Sequence, residues 1–169
     1  MRNWTLLIFL SSFIFSQLKI DGPAPSFFLR TLENKNFFFS KEILKSDATV
    51  FSFFATWCEP CKKELPILDS IKVNYPKIKF YLVNVSGLSG SKDKLKEDPI
   101  LVKEMLQSLK VDFPVLMDKY GVAAKNYGVK ALPHLVIVSK EGTILYQHSG
   151  YVPGDENNLI KFLTKFTNE

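Results

Sequence analysis

A chain of 169 residues has room for one domain and a targeting segment but not for two independent cores. With 46% hydrophobic residues, 15 of them Phe, it holds ample material for a packed interior, which excludes a disordered or low-complexity protein. Two cysteines exclude a multi-disulfide framework and a four-thiolate zinc site, and a net charge of +5 on lysines interleaved with Asp and Glu excludes the concentrated patch that nucleic-acid binding needs.

The N-terminus carries Arg2 and then about a dozen mostly apolar residues, Trp4 to Phe15. This is the pattern of a secretory segment, too short to span a bilayer comfortably. The expected cut follows Ser16, with Ile14 an unusual residue at minus three; an uncleaved membrane anchor is the alternative. No cysteine lies near this segment, so a lipid anchor is not expected. Residues 1–16 are thus read as a signal peptide and 17–169 as the folded domain.

Beyond it, Phe27-Phe28-Leu29 and Phe37-Phe38-Phe39 flank the Asn34-Lys35-Asn36 turn and predict a β-hairpin. Ser40 is expected to cap a short helix through Leu44. Thr49 to Phe54 is a continuous apolar, β-rich run, the mark of a strand buried on both faces. From Glu59 to about Tyr75 the pattern turns helical, with Pro66 inside it as an expected kink. Ile78 to Val85 predicts a second buried strand; the Asn84-Val85-Ser86 sequon at its end is read as a strand end, not as an acceptor site.

A polar stretch from Ser86 to Glu97 reads as an insertion before the next helix, which Asp98 caps, Pro99 opens and Ile100, Leu101, Met105, Leu106 and Leu109 make amphipathic. Pro114 to Met117 predicts a short strand, and Asp118 to Tyr127 a short helix ended by Gly128. Leu135–Val138 and Thr143–Tyr146 predict a hairpin around Glu141-Gly142, and Asp155 is expected to cap a last helix with Leu159, Ile160, Leu163 and Phe166 inward. This order predicts an α/β fold, a central mixed β-sheet flanked by helices.

The chemistry centres on Trp57-Cys58-Glu59-Pro60-Cys61-Lys62-Lys63-Glu64. Two cysteines three apart, where a buried strand feeds a helix, place the first sulfur at the helix N-terminus. Unpaired N–H groups and the helix dipole favour a thiolate there. Cys61, one turn on, is near enough to resolve a mixed disulfide. A structural disulfide closing so short a loop stabilises little, and a metal pair finds only His134 and His148 as further soft ligands.

This run, with the strand before it, Pro66, Tyr127-Gly128-Val129, Leu132-Pro133 and the Glu141-Gly142 turn, resembles the thioredoxin superfamily and its exported TlpA/ResA-like branch over about residues 22–166. Peroxiredoxins share the fold but use Pro-x-x-x-Thr-x-x-Cys, whereas Phe51 and Ala55 hold those positions relative to Cys58. The resemblance implies a cis Leu132–Pro133 bond that exposes the Leu132 backbone to a substrate strand. It makes Trp57, Leu132 and Pro133 the substrate-binding residues, Trp57 having packing beside the cysteines as its default role.

Thioredoxin itself keeps an acidic residue on the central strand where Ser52 stands here, while ResA-like proteins resemble this chain in carrying a glutamate at the position of Glu64. That carboxylate is expected to raise thiol pKa values and to accept the proton of Cys61; a solvated helix glutamate is the alternative. Glu59 should act in the same direction, and Lys62 and Lys63 against it. His134, where the family often has a hydroxyl residue, and His148 are each expected to be satisfied or exposed, not catalytic.

The implied function is an extracytoplasmic thiol–disulfide oxidoreductase, periplasmic or on the outer face of the membrane, that reduces protein disulfides such as those of apocytochrome c. Its expected partners are Cys-x-x-Cys proteins and a membrane thiol carrier as electron donor, and it calls for no cofactor and no metal. A DsbA-like oxidant and a Sco-like copper-binding module are the alternatives; the latter uses Cys-x-x-x-Cys with a distant His.

Overall fold

The computed structural model describes residues 19–85 and 98–167, with side chains as far as residue 164. The expected signal segment, the insertion at 86–97 and the Phe166 side chain lie outside what is described.

Seven strands form one mixed sheet: β1 Phe28–Thr31, β2 Asn36–Phe38, β3 Ala48–Phe54, β4 Ile78–Val85, β5 Val115–Asp118, β6 His134–Ser139 and β7 Ile144–Ser149. Their spatial order is β2-β1-β5-β4-β3-β6-β7. Strands β3, β4 and β5 run parallel, and β6, β7 and the β1–β2 hairpin are antiparallel to their neighbours. All seven residues of β3 are buried, as a strand covered on both faces requires.

Alternation along β3 divides the core. Val50 and Phe54 face α2 (Glu59–Lys72), α3 (Pro99–Leu109) and α5 (Asp155–Thr167), packing with Leu65, Leu68, Val102 and Leu163. Phe51 and Phe53 face the other way, with α1 (Phe39–Glu42) and α4 (Val122–Asn126). There Phe51 sits among Phe27, Phe39 and Tyr81, with ring centroids 5.4, 5.7 and 5.8 Å away. Thus the Phe-rich hairpin closes the second face of the central strand.

Several boundaries differ from the sequence expectation. Phe38, not Ser40, precedes α1: Phe39 is pulled into the aromatic cluster and its N–H bonds Phe27 O at 3.1 Å. The helix ends at Glu42 and passes into a 3₁₀ turn, Ile43–Lys45. Asp118 is the last residue of β5, and from there its carboxylate accepts from the Val122 and Ala124 amides, each at 2.8 Å, so it anchors α4 from outside. Gly128, at φ +60°, follows α4 as expected.

Ile160 points outward, 37% exposed, because Leu159 and Leu163 already fill the inner face of α5. Asp155 is the first residue of α5, and its carboxylate turns back to the Val152 amide at 2.8 Å instead of capping the amides ahead. Strand β7 continues three residues past Tyr146, which brings His148 into the sheet opposite Leu135. Among the described residues no helix is long and apolar enough to cross a membrane.

Replacing Phe51, which is wholly buried, by Ala should cost about 3–5 kcal/mol in urea unfolding, while the same change at half-exposed Phe28 should cost less than about 1 kcal/mol. Equal losses at the two positions would contradict this division of the core.

Candidate active site

The parallel strands end together, and the turn after β3 carries the cysteines. Cys58 is the N-cap of α2, with extended backbone (φ −83°, ψ 99°), and its Sγ accepts from the Cys61 amide at 3.2 Å. Pro60, in the first turn, has no N–H to leave unsatisfied. Cys58 and Cys61 are joined as a disulfide, both almost fully buried. Trp57, next to Cys58 in the chain, is half exposed. Glu59 and Lys62 pair with each other at the surface, so their opposite charges compensate locally.

Glu64 is not a solvated helix residue. It lies one turn past Cys61, only 5% exposed, and the Ser52 hydroxyl of β3 donates to its Oε2 at 3.3 Å. Burial pushes its carboxyl up to about 7; the Ser52 hydrogen bond pulls it down and the negative charge of Asp155 pushes it up. The serine standing in thioredoxin's acidic position and the helix glutamate are therefore direct partners.

The Leu132–Pro133 peptide is cis and leads directly into β6. With Phe53 opposite His134 in the antiparallel β3–β6 register, Pro133 lies beside the end of β3 from which the cysteine turn departs. Leu132 is half-buried, touching both halves of the core.

His134 is buried on the aromatic face, 5.9 Å from the Phe53 ring, with Nδ1 hydrogen-bonded to Ser149 Oγ. Its Nε2 has no partner among the described residues, and burial, helped by the charge of His148, lowers its pKa to about 4. It is a neutral ring at physiological pH. His148, partly exposed, sets its Nε2 3.1 Å from Asp155 Oδ2. Glu64, His148 and Asp155 line one narrow pocket with Leu135, Tyr146 and Tyr151. Sequence reasoning missed this grouping; the one signal available was the period-2 spacing of Tyr146 and His148, which puts them on one face of a strand.

The family model described as AhpC/TSA matches residues 20–147. The chain belongs to the AhpC/TSA family. Within it, Phe51 and Ala55, both wholly buried, hold the positions where peroxiredoxins carry Pro and Thr. The thiol–disulfide oxidoreductase ResA of Bacillus thuringiensis subsp. konkukian is 30% identical over 151 residues, 89% of this chain and 80% of that protein. ResA of Bacillus subtilis is 30% identical over 142 residues, covering 82% and 74%.

Among solved structures, a Chlorobium tepidum protein assigned as the thiol:disulfide interchange protein DsbE superposes with a TM-score of 0.72 at 23% identity, covering 88% of this chain and 98% of that one. StoA from Bacillus subtilis gives 0.61 at 24% identity, covering 84% and 98%. Both neighbours share the thioredoxin-like architecture. This chain is a thiol–disulfide oxidoreductase of the ResA type, and it carries the Cys-x-x-Cys pair Cys58 and Cys61 as a disulfide.

The two perturbed groups set opposite pH dependences. Glu64, ordinarily near 4.5 and here near 7, holds its proton more tightly when folded, so its contribution to stability is complete below pH 4.5 and is lost as pH rises to about 7. His134, lowered from 6.5 to about 4, contributes fully above pH 6.5 and loses that contribution as pH falls to about 4. Each amounts to about 3 kcal/mol, so between pH 4.5 and 6.5 the two largely cancel. In urea unfolding of the oxidised protein, Glu64→Gln should uncover stability that rises from pH 4 to 6.5, and His134→Gln stability that falls from pH 4.5 to 7. Variant profiles parallel to wild type would contradict both assignments.

Proposed function

We propose that this oxidoreductase works outside the cytoplasm as a reductant of protein disulfides, with the buried Glu64 carboxyl beside the cysteine pair as the observation that favours this direction. A carboxylate in a dry site disfavours a second negative charge nearby, which keeps the thiols protonated. Less acidic thiols stabilise the reduced form less, so the couple becomes more reducing.

Reduced Cys58, favoured as a thiolate by the α2 N-terminus, attacks a substrate disulfide and releases one substrate sulfur as a thiolate. Cys61 then gives its proton to Glu64 and attacks Cys58 Sγ, which releases the second substrate thiolate and closes the Cys58–Cys61 disulfide. A membrane thiol carrier returns two electrons and two protons. Trp57 and the backbone of Leu132 before Pro133 receive the substrate, the latter by pairing with an extended segment. The substrate class is Cys-x-x-Cys proteins, for which the haem-binding cysteines of apocytochrome c are the family's example. Residues 1–16 serve as the export signal or an uncleaved anchor, and 17–169 form the thioredoxin-like domain.

Equilibration with glutathione redox buffers at pH 7 tests the direction. A potential near that of thioredoxin, about −270 mV, is expected, and one near that of DsbA, about −120 mV, would overturn the reductant assignment. In the native host, Cys61→Ala should accumulate mixed disulfides through Cys58 with exported Cys-x-x-Cys proteins; recovery of none would contradict the resolving role of Cys61.

A further inference from the structure

Resolution leaves a proton on Glu64, a group with almost no exposed surface, and that proton must leave before the next turnover. The strand register points to its exit. Ser52 on β3 pairs with Leu135 on β6, and Leu135 pairs with His148 on β7, so the three side chains form one row on the sheet face covered by α2 and α5. Glu64 rests on the first member of that row, at 3.3 Å, and His148 is the last, two strands or about 10 Å away.

The pocket that Glu64, His148 and Asp155 line is the space between them, with Leu135 as its floor. Glu64 is its buried end and His148, 36% exposed, its solvent end. We infer that His148, oriented by Asp155, is the proton port of Glu64: it takes up the proton that Cys61 transfers to Glu64 and releases it to solvent, and it returns one when the disulfide is re-reduced. The inference rests on the reading of Glu64 as the acceptor of the Cys61 proton.

The groups around the path fit these roles. Asp155 accepts from the Val152 amide, which holds its carboxyl below the usual range, so it stays ionised and stabilises an imidazolium at His148 without carrying the proton itself. Tyr146 on β7 and Tyr151 after it, both with pKa values raised, stay protonated in the neutral range and do not compete. Glu156 on α5 also lines the pocket, where its carboxylate is held by the Tyr151 hydroxyl and the Gly154 amide. His134 feels the charge of His148 from the opposite face of the sheet but remains neutral. The pocket is narrow, with room for about one water molecule, and the transfer crosses it through such a water; no electron moves in the step. His148 is a positioning and relay residue, since it touches neither cysteine nor substrate.

The test follows steady-state reduction of a disulfide-bonded Cys-x-x-Cys peptide by the full-length chain, with dithiothreitol as electron donor, from pH 5 to 9. His148→Ala should slow turnover at pH 7 by about tenfold or more, and free imidazole should restore it. Asp155→Asn, which keeps the ring, should slow turnover less than His148→Ala does. A wild-type rate and profile in His148→Ala, or a loss that imidazole does not restore, would overturn the relay. Glu64→Gln separates the two claims. If it slows turnover while His148→Ala does not, the relay alone fails; if it leaves turnover unchanged, the reading of Glu64 fails and the relay with it.

Discussion

A carboxyl group shut into the core one helical turn past a pair of cysteines is the constraint on which this site depends. Among the described residues no cation pairs with Glu64; its hydrogen-bond partner is the neutral Ser52 hydroxyl, and the charge that acts on it, Asp155, is of the same sign. The cost of ionising it there is what brings its pKa to the neutral range, where a carboxyl exchanges protons most usefully with a thiol. The helix dipole at Cys58 pulls in the other direction, because Cys58 is the N-cap of α2 whereas Cys61 and Glu64 lie further along it. In the proposed mechanism one helix thus separates the two sulfurs electrically, the outer as the nucleophile and the inner as its protonated reserve.

The fold is arranged around keeping that helix still. Strand β3 is sealed on one face by α2, α3 and α5 and on the other by a cluster of aromatic rings, so its C-terminal end, from which the cysteine turn starts, is fixed from both sides. The N-terminal hairpin supplies Phe27 and Phe37, and α1 supplies Phe39, to the second face. These phenylalanines lie far from the sulfurs in sequence and on the opposite face of the sheet, yet they brace the strand that presents them. His134 follows the cis-proline into the same aromatic layer, neutral and anchored to Ser149, so the segment that borders the cysteines is itself tied to this second core.

The strands were legible where burial leaves a continuous apolar run: β4 begins and ends as its sequence predicts, and β3 is extended by one residue. The cysteine pair, its place at a helix N-terminus and the cis-proline followed from a short run of residues and a resemblance. What escaped the sequence depends on pairing across the sheet. Nothing local to Glu64 tells a buried carboxyl from a surface one; Ser52, twelve residues earlier, decides it. By position Asp118 looks like the start of a helix and Asp155 like a helix cap. Their carboxylates are instead recruited by amides and, for Asp155, by a histidine that only the β6–β7 register brings near. Ser40 had the chemistry of a cap but lost to Phe39, whose burial sets where the turn begins.

The most direct measurement is the thiolate absorbance of the fully reduced protein near 240 nm, titrated in wild type and in Glu64→Gln. Removing a buried ionisable carboxyl without changing its shape should lower the apparent pKa of the dithiol and merge its titration toward that of an ordinary cysteine at a helix N-terminus. Superimposable titrations in the two proteins would contradict the central place given to Glu64.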